Sequence, residues 1–410
     1  MERPMKNSGI EWIGSIPENW SLQPVKALVE RIWDGPFGSN LKGNDYTSEG
    51  IPVVRLENLR YMQFDESKKS FVSPEKYETI RRHTVRQGDL IMATFISDDV
   101  KVAQLPLSYD YAINKADCIG IKPSRHVDLR FLQYALSSPS SYIGLLQETH
   151  GSTRERVNTT QIKMLKLPIP PLVEQKRISN FLDQKCLKID AISTSISEEI
   201  ELFEQYRRSV IHEAVTKGLN PDAPMRDSGV EWIGEIPAAW NIVPAKSHVV
   251  IHNGRDPLDE GDVPVYGAGS EPFKCSKEYK LGPTVLLGRK GTIDRPKYIT
   301  GRFWNVDTAF DAYTDNLLLV KYYFYLSICF DYKRYISQTT LPSMTQTEYL
   351  NMRIPLPSVG EQDIIVSFLD KKCAEIDSII AAKKQQLETL SQYKKSLIYE
   401  YVTGKREVPA

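Results

Sequence analysis

The chain has 410 residues, 41% hydrophobic and 25% charged. That is the composition of a folded globular protein of two or three domains and excludes a disordered or fibrous chain. Basic and acidic residues both number 52, so there is no strongly basic total, and any positive face must be offset by acidic surface elsewhere or helped by partners that bind phosphate.

The opening stretch, MERPMKNSGIEW, lacks the apolar core of a signal peptide. No apolar run is long enough to span a membrane. The five cysteines, Cys118, Cys186, Cys275, Cys329 and Cys373, are odd in number and form no C-x-x-C pair. Neither a disulfide framework nor a zinc site is expected, and free thiols fit a reducing cytoplasm.

The decisive feature is that the chain is written twice. Residues 7–24 read NSGIEWIGSIPENWSLQP, and residues 227–244 read DSGVEWIGEIPAAWNIVP. Ten of these 18 positions are identical, Trp12 and Trp20 among them, at an offset of 220. A second block, from Leu167 (LPIPPLVEQKRISNFLDQKCLKIDAI), recurs from Ile354 (IPLPSVGEQDIIVSFLDKKCAEIDSI) at an offset of 187. The segment between the blocks is therefore 33 residues shorter in the second copy, and it shares little sequence with the first. Constant frames carrying divergent inserts predict one scaffold presenting two different recognition surfaces.

Within the first insert, DLIMATF (89–95) reads as a strand and RFLQYALSS (130–138) as a helix. Prolines then punctuate the start of a long stretch almost free of proline and glycine, Glu174–Thr216, which Gly218 ends. Its apolar residues Leu182, Ile189, Ile192, Ile196, Phe203, Tyr206 and Val210 alternate spacings of three and four, with Lys185 and Glu199 as polar interruptions. This predicts a heptad seam on a helix about 65 Å long. The second insert offers TVLLG (284–288) as a strand and YYFYLSICF (322–330) as a helix. A matching seam follows at Leu369, Ile376, Ile379, Leu390, Tyr393 and Leu397, and Gly404 closes it.

The expected architecture is α+β: two globular recognition domains joined by two long helices in an antiparallel coiled coil with approximate two-fold symmetry. The expected boundaries are 1–165 for the first recognition domain with its box, 166–224 for the central helix, 225–351 for the second domain with the repeated box, and 352–410 for the C-terminal helix. A two-fold protein suits paired DNA half-sites. Because the inserts differ, the half-sites should differ, separated by a spacer that the helices measure and the protein does not read.

Nucleotide and cofactor motifs are missing or incomplete. No G-x-x-x-x-G-K-[ST] loop occurs, nor an Asn-Pro-Pro-aromatic tetrapeptide, and Tyr266–Gly269 is at best half a cofactor loop. Asp262 followed by Glu278 and Lys280 could hold a catalytic metal, which leaves a nuclease site in the second insert as the alternative function. His248 and His252 lie on a strand pattern rather than a metal-binding helix.

The repeated SG[IV]EWIG-x-IP-x-x-W box, the [IL]P[IL]P…EQ-x-x-I helix starts at Glu174-Gln175 and Glu361-Gln362, and the Phe-Leu-Asp near each start together resemble the specificity subunits of type I restriction-modification enzymes. The resemblance implies a non-catalytic subunit that reads a bipartite, asymmetric DNA site, one recognition domain per half-site. It also implies two modification subunits docked on the helices and restriction subunits joining them. S-adenosylmethionine, ATP and magnesium would then belong to those partners. Base edges are read best by Arg, Lys, Asn, Gln, Ser and Thr on loops that approach closely. The candidates are Ser39, Asn40, Lys42, Arg55, Arg154 and Arg156 in the first domain. In the second they are Arg289, Lys290, Thr292, Gln338, Thr339, Thr340 and Ser343.

Overall fold

The computed structural model describes residues 3–147, 156–269, 272–336 and 341–409. The chain divides into two units, residues 1–195 with 386–410, and residues 196–385. The first unit is therefore built from both ends of the chain.

The two inserts have the same fold despite their sequences. In the first unit an antiparallel sheet runs, in spatial order, Val102–Gln104, Leu90–Ala93, Cys118–Pro123, Val29–Asp34. In the second, the order is Lys297–Ile299, Thr284–Gly288, Ala309–Thr314, Val249–Asn253. A further sheet in each unit contains one parallel pair, Ile51–Val54 with Tyr111–Asn114 in the first and Val263–Tyr266 with Arg302–Asn305 in the second. The strands expected at 89–95 and 284–288 and the helices expected at 130–138 and 322–330 all form, as Leu90–Ala93, Thr284–Gly288, Leu129–Ser137 and Val320–Ile328. Much of the extra length of the first insert lies in the hairpin Leu59–Arg60 with Gln63–Phe64 and the helix Pro74–Ile80.

The repeated frames make repeated contacts. Gln175 accepts from the Asp128 backbone N–H at 2.8 Å and donates to the Pro170 carbonyl at 2.9 Å. Gln362 accepts from Leu319 N–H at 2.8 Å and donates to the Pro357 carbonyl at 3.0 Å. Asp183 holds Tyr134 (2.8 Å) and Arg130, while Asp370 holds Tyr325 (2.7 Å) and Lys321 (2.6 Å). The helix of each insert is thereby tied to the long helix that follows it. The second tryptophan of each box is buried against the end of a long helix. Trp240 lies beside Gly218, and Trp20 lies beside Gly404.

The long helices are Leu172–Lys217 and Val359–Val402, each unbroken. In unit 1, Lys394 pairs with Asp190; in unit 2, Lys383 pairs with Glu199 and Arg207 with Asp377. Numbers rise along one helix as they fall along the other, so the pairing is antiparallel.

The seam differs from the expected one at four of its thirteen apolar positions. Leu182 and Ile189 are buried as expected, and Ile196 and Phe203 are half-buried. Ile192 and Tyr206 are exposed, and their places are taken one residue later by Ser193 and Arg207; Cys186 and Ile200 likewise turn inward beside Lys185 and Glu199. The second helix shifts identically: Ile379 and Tyr393 are exposed, and Cys373, Ile380, Leu387 and Lys394 turn inward. The apolar pattern misled because the helices bury charged and small residues where ion pairs form, leaving apolar ones outside.

Candidate nucleic-acid interface

In each unit three short segments meet at one end of the antiparallel sheet, tied by the same hydrogen bonds. In unit 1 the Thr94 N–H donates to the Asp117 carbonyl (3.0 Å) and the Val157 N–H to the Thr94 carbonyl (2.8 Å). Phe95 and Arg156 form a β-bridge. In unit 2 the Arg289 N–H donates to the Thr308 carbonyl (2.8 Å) and the Met344 N–H to the Arg289 carbonyl (3.0 Å), while Lys290 and Ser343 form the bridge. Asn114 donates to the Cys118 carbonyl at 2.8 Å as Asn305 does to Ala309 at 2.9 Å. A Cβ on Gly35 would lie 2.3 Å from the Asn114 carbonyl oxygen, and one on Gly254 2.6 Å from that of Asn305. Only glycine lets the chain pass there.

The backbone frame is thus shared while the side chains on it are exchanged. Where unit 1 has Thr94, Phe95, Arg156 and Asp117, unit 2 has Arg289, Lys290, Ser343 and Thr308. At the sheet, Gly120 faces Trp33 and Asp311 faces His252 in matching register. Gly120 leaves room for the Trp33 indole. Asp311 is buried and binds Lys280 at 2.6 Å.

Among the expected readers, Ser39, Asn40 and Lys42 are exposed on the turn after Gly35, and the Lys42 backbone N–H donates to Asp45. Arg55 is engaged within its own unit, with Glu57 at 2.9 Å, Ser70 at 3.3 Å and the Tyr46 ring beneath it. Arg156 pairs with Asp117 at 3.4 Å and lies over Phe95. Burial pushes the nearby Asp34 carboxyl upward in pKa, against the pull of Arg156, His83 and Lys163. Arg289 is half-buried over Phe310 and donates to the Asp307 carbonyl at 3.3 Å. Lys290 and Ser343 are exposed and Thr292 is half-buried. Arg154, Gln338, Thr339 and Thr340 lie outside the described residues.

The nuclease arrangement is not assembled. Glu278 is occupied by Arg255 (2.6 Å) and the Leu258 N–H (2.8 Å), and Lys280 is held by Asp311 and Asn305. Among the described residues no cluster of metal-ligating side chains occurs, and no helix is long and apolar enough to cross a membrane. His248 pairs with Asp315 at 2.9 Å, and His252 is on the strand Val249–Asn253.

Sequence reasoning missed a cluster of arginines beside the glycine turn of unit 1. Arg31, Arg81, Arg82 and Arg86 line a hollow of about 470 Å³. Arg31 and Arg82 also line a neighbouring hollow of about 270 Å³ with Trp33, Phe37, Asn40 and His83. The signal was present in the run RRHTVR (81–86), which reads locally as a polar turn.

The model of the Type I restriction modification DNA specificity domain matches residues 39–202 and again 245–389. The chain belongs to the type I restriction-modification DNA specificity family. It is a specificity subunit with two DNA recognition domains, and each match covers one insert with most of its long helix. The type I restriction enzyme MjaVIII specificity subunit of Methanocaldococcus jannaschii is 24% identical over 96% of this chain and 94% of its own length. The EcoKI specificity subunit of Escherichia coli is 21% identical over 49% of this chain and 44% of its own length. A solved chain described in terms of complex assembly and conformational transition of the type I R-M system covers 95% of this chain and 99% of that one. Its TM-score is 0.68 at 16% identity, a likeness of fold.

Proposed function

We propose that this specificity subunit reads a bipartite, asymmetric DNA site, one recognition domain per half-site, and carries no chemistry of its own. The observation that carries this is the pair of sites just described, with one hydrogen-bonded frame and exchanged side chains. A shared frame offers each domain the same approach to a groove, and different side chains offer different donor and acceptor patterns to the bases. Ser39, Asn40, Lys42 and Arg156 in the first domain, and Arg289, Lys290, Thr292 and Ser343 in the second, are the readers within the described residues. Arg55, tied to Glu57, positions its loop. Arg154, Gln338, Thr339 and Thr340 complete the set.

Partners supply the rest. Two modification subunits dock on the long helices, where Leu187, Ile192, Leu202, Tyr206, Ile364 and Ile379 stay exposed, and restriction subunits join that assembly. S-adenosylmethionine, ATP and magnesium belong to these partners. The test is an exchange of residues 21–165 for the matching insert of a relative, read by sequencing methylated sites in cells making the complex. One half-site should change and the other persist. A change in both halves, or in neither, would overturn the reading.

A further inference from the structure

Arg31 is fixed twice. Its guanidinium lies 4.6 Å from the centre of the Trp33 ring, and its Nη2 donates to the Arg82 carbonyl at 2.7 Å. Arg86, across the same hollow, lies 5.6 Å from the centre of the Tyr111 ring. Arg82 donates from Nε to His83 Nε2 at 3.0 Å, and His83 Nδ1 meets the Asp34 carbonyl at 2.5 Å. Among the described residues the only acidic side chain lining the larger hollow is Glu78, 3.5 Å from Arg81. Arg31, Arg81, Arg82 and Arg86 are all exposed. Guanidiniums held in place by rings and backbone lose little entropy on binding an anion.

The second domain does not repeat this. In matching strand register the place of Arg31 is taken by Val250, which faces Tyr313 as Arg31 faces Lys122. The place of Arg86, which faces Tyr111, is taken by Leu281, which faces Arg302. Val250 and Leu281 are 59% and 61% exposed, so the apolar pair is solvent-facing where the first domain presents cations. Arg302 stacks on Tyr279 at 4.7 Å.

The geometry points to a phosphate clamp: Arg31, Arg81, Arg82 and Arg86 grip the DNA backbone beside the first half-site, outside the bases being read. This rests on the proposed recognition of DNA by both domains. The clamp makes the first domain the stronger electrostatic anchor, because each phosphate neutralised contributes about 0.9 to the slope of log affinity against log salt.

The test uses the full complex with its modification subunits and two probes, a duplex carrying the methylated target and a duplex of random sequence. In the triple variant R81A/R82A/R86A both affinities should fall by the same factor, and the salt slope should flatten by about 0.9 for each phosphate no longer neutralised. The lysine variants R81K/R82K/R86K should keep most of the slope. A loss confined to the target duplex, with slope unchanged, would make these residues base readers and overturn the clamp. Unchanged binding would also overturn it. If the triple variant fails to fold, R82Q and R86Q separately give the same readout at smaller amplitude. A parent complex with no preference for the target over the random duplex would instead sink the reading of the chain as a sequence reader, whatever the arginines do.

Discussion

Asp190 and Lys394 lie on different long helices and meet at 2.6 Å, with Lys394 almost fully buried. Arg207 and Asp377, also at 2.6 Å, are their counterparts under the repeat. Lys394 corresponds to Arg207 and Asp377 to Asp190, each at the 187-residue offset of the second block. One ancestral ion pair therefore serves twice, once in each unit.

Removing the carboxylate alone should cost more than removing both charges, because a cation left buried without its partner keeps its desolvation penalty. Asp190→Ala should destabilise the first unit by about 1–3 kcal/mol, and Asp190→Ala with Lys394→Met should recover most of that. Thermal unfolding of the purified chain measures both. A double variant no more stable than the single one contradicts this account.

The shifted seam predicts a contrast between neighbouring positions. Ile200 is buried and Tyr206 is 48% exposed. Ile200→Ala should cost about 2–4 kcal/mol, whereas Tyr206→Ala should change stability by less than about 0.5 kcal/mol while weakening capture of modification subunits. Denaturant unfolding gives the first quantity and co-purification the second. Equal costs would restore the simple apolar heptad.

Glycine at the recognition turns is required by space. Gly35→Ala should damage the first half-site and leave the second intact, since its Cβ would fall 2.1 Å from the Lys115 carbonyl carbon. Gly254→Ala, 2.1 Å from the Val306 carbonyl oxygen, should do the reverse. Strain of this kind typically costs about 1–3 kcal/mol. Selection of bound sequences from a random pool would reveal any crossed effect.

Burial, with Arg82 and Arg31 nearby, holds the His83 imidazole below its ordinary pKa, against the pull of the Asp34 carbonyl and side chain. The unfolded chain therefore takes up a proton at higher pH than the folded one. The stability linked to His83 is fully present above the unfolded value of about 6.5 and is lost as pH falls through the lower folded value. His83→Gln should flatten this part of the stability profile below about pH 6.5. A profile unchanged by the substitution would place the acid sensitivity elsewhere.

Much of this architecture was legible in the sequence because the repeat displays it. Trp20 and Trp240, Gln175 and Gln362, Asp183 and Asp370 each recur with their contacts, so one copy explains the other. Strands such as Thr284–Gly288 followed from continuous apolar runs. The kinship of the inserts was hidden because their fold is held by backbone hydrogen bonds at Thr94 and Arg289, positions where side-chain identity is free to change. The arginine cluster was hidden for a different reason. Arg31 and Arg82 are 51 positions apart, and only the folded sheet brings them to one hollow. The seam missed at Ile192, Tyr206, Ile379 and Tyr393 because hydrophobicity alone cannot show that Arg207 and Lys394 turn inward to meet carboxylates.

The division of the chain has a consequence for synthesis. Domains ordinarily fold in the order in which they leave the ribosome. Here the second unit is one continuous stretch, residues 196–385, whereas the core of the first includes Leu397, Ile398, Tyr401 and Val402. The part made first must therefore wait for the last residues. Until then the faces of Phe181 and Trp20 that meet Tyr401 and Gly404 stay open to water and to other chains. A released chain truncated after residue 390 would hold a complete second unit and an incomplete first.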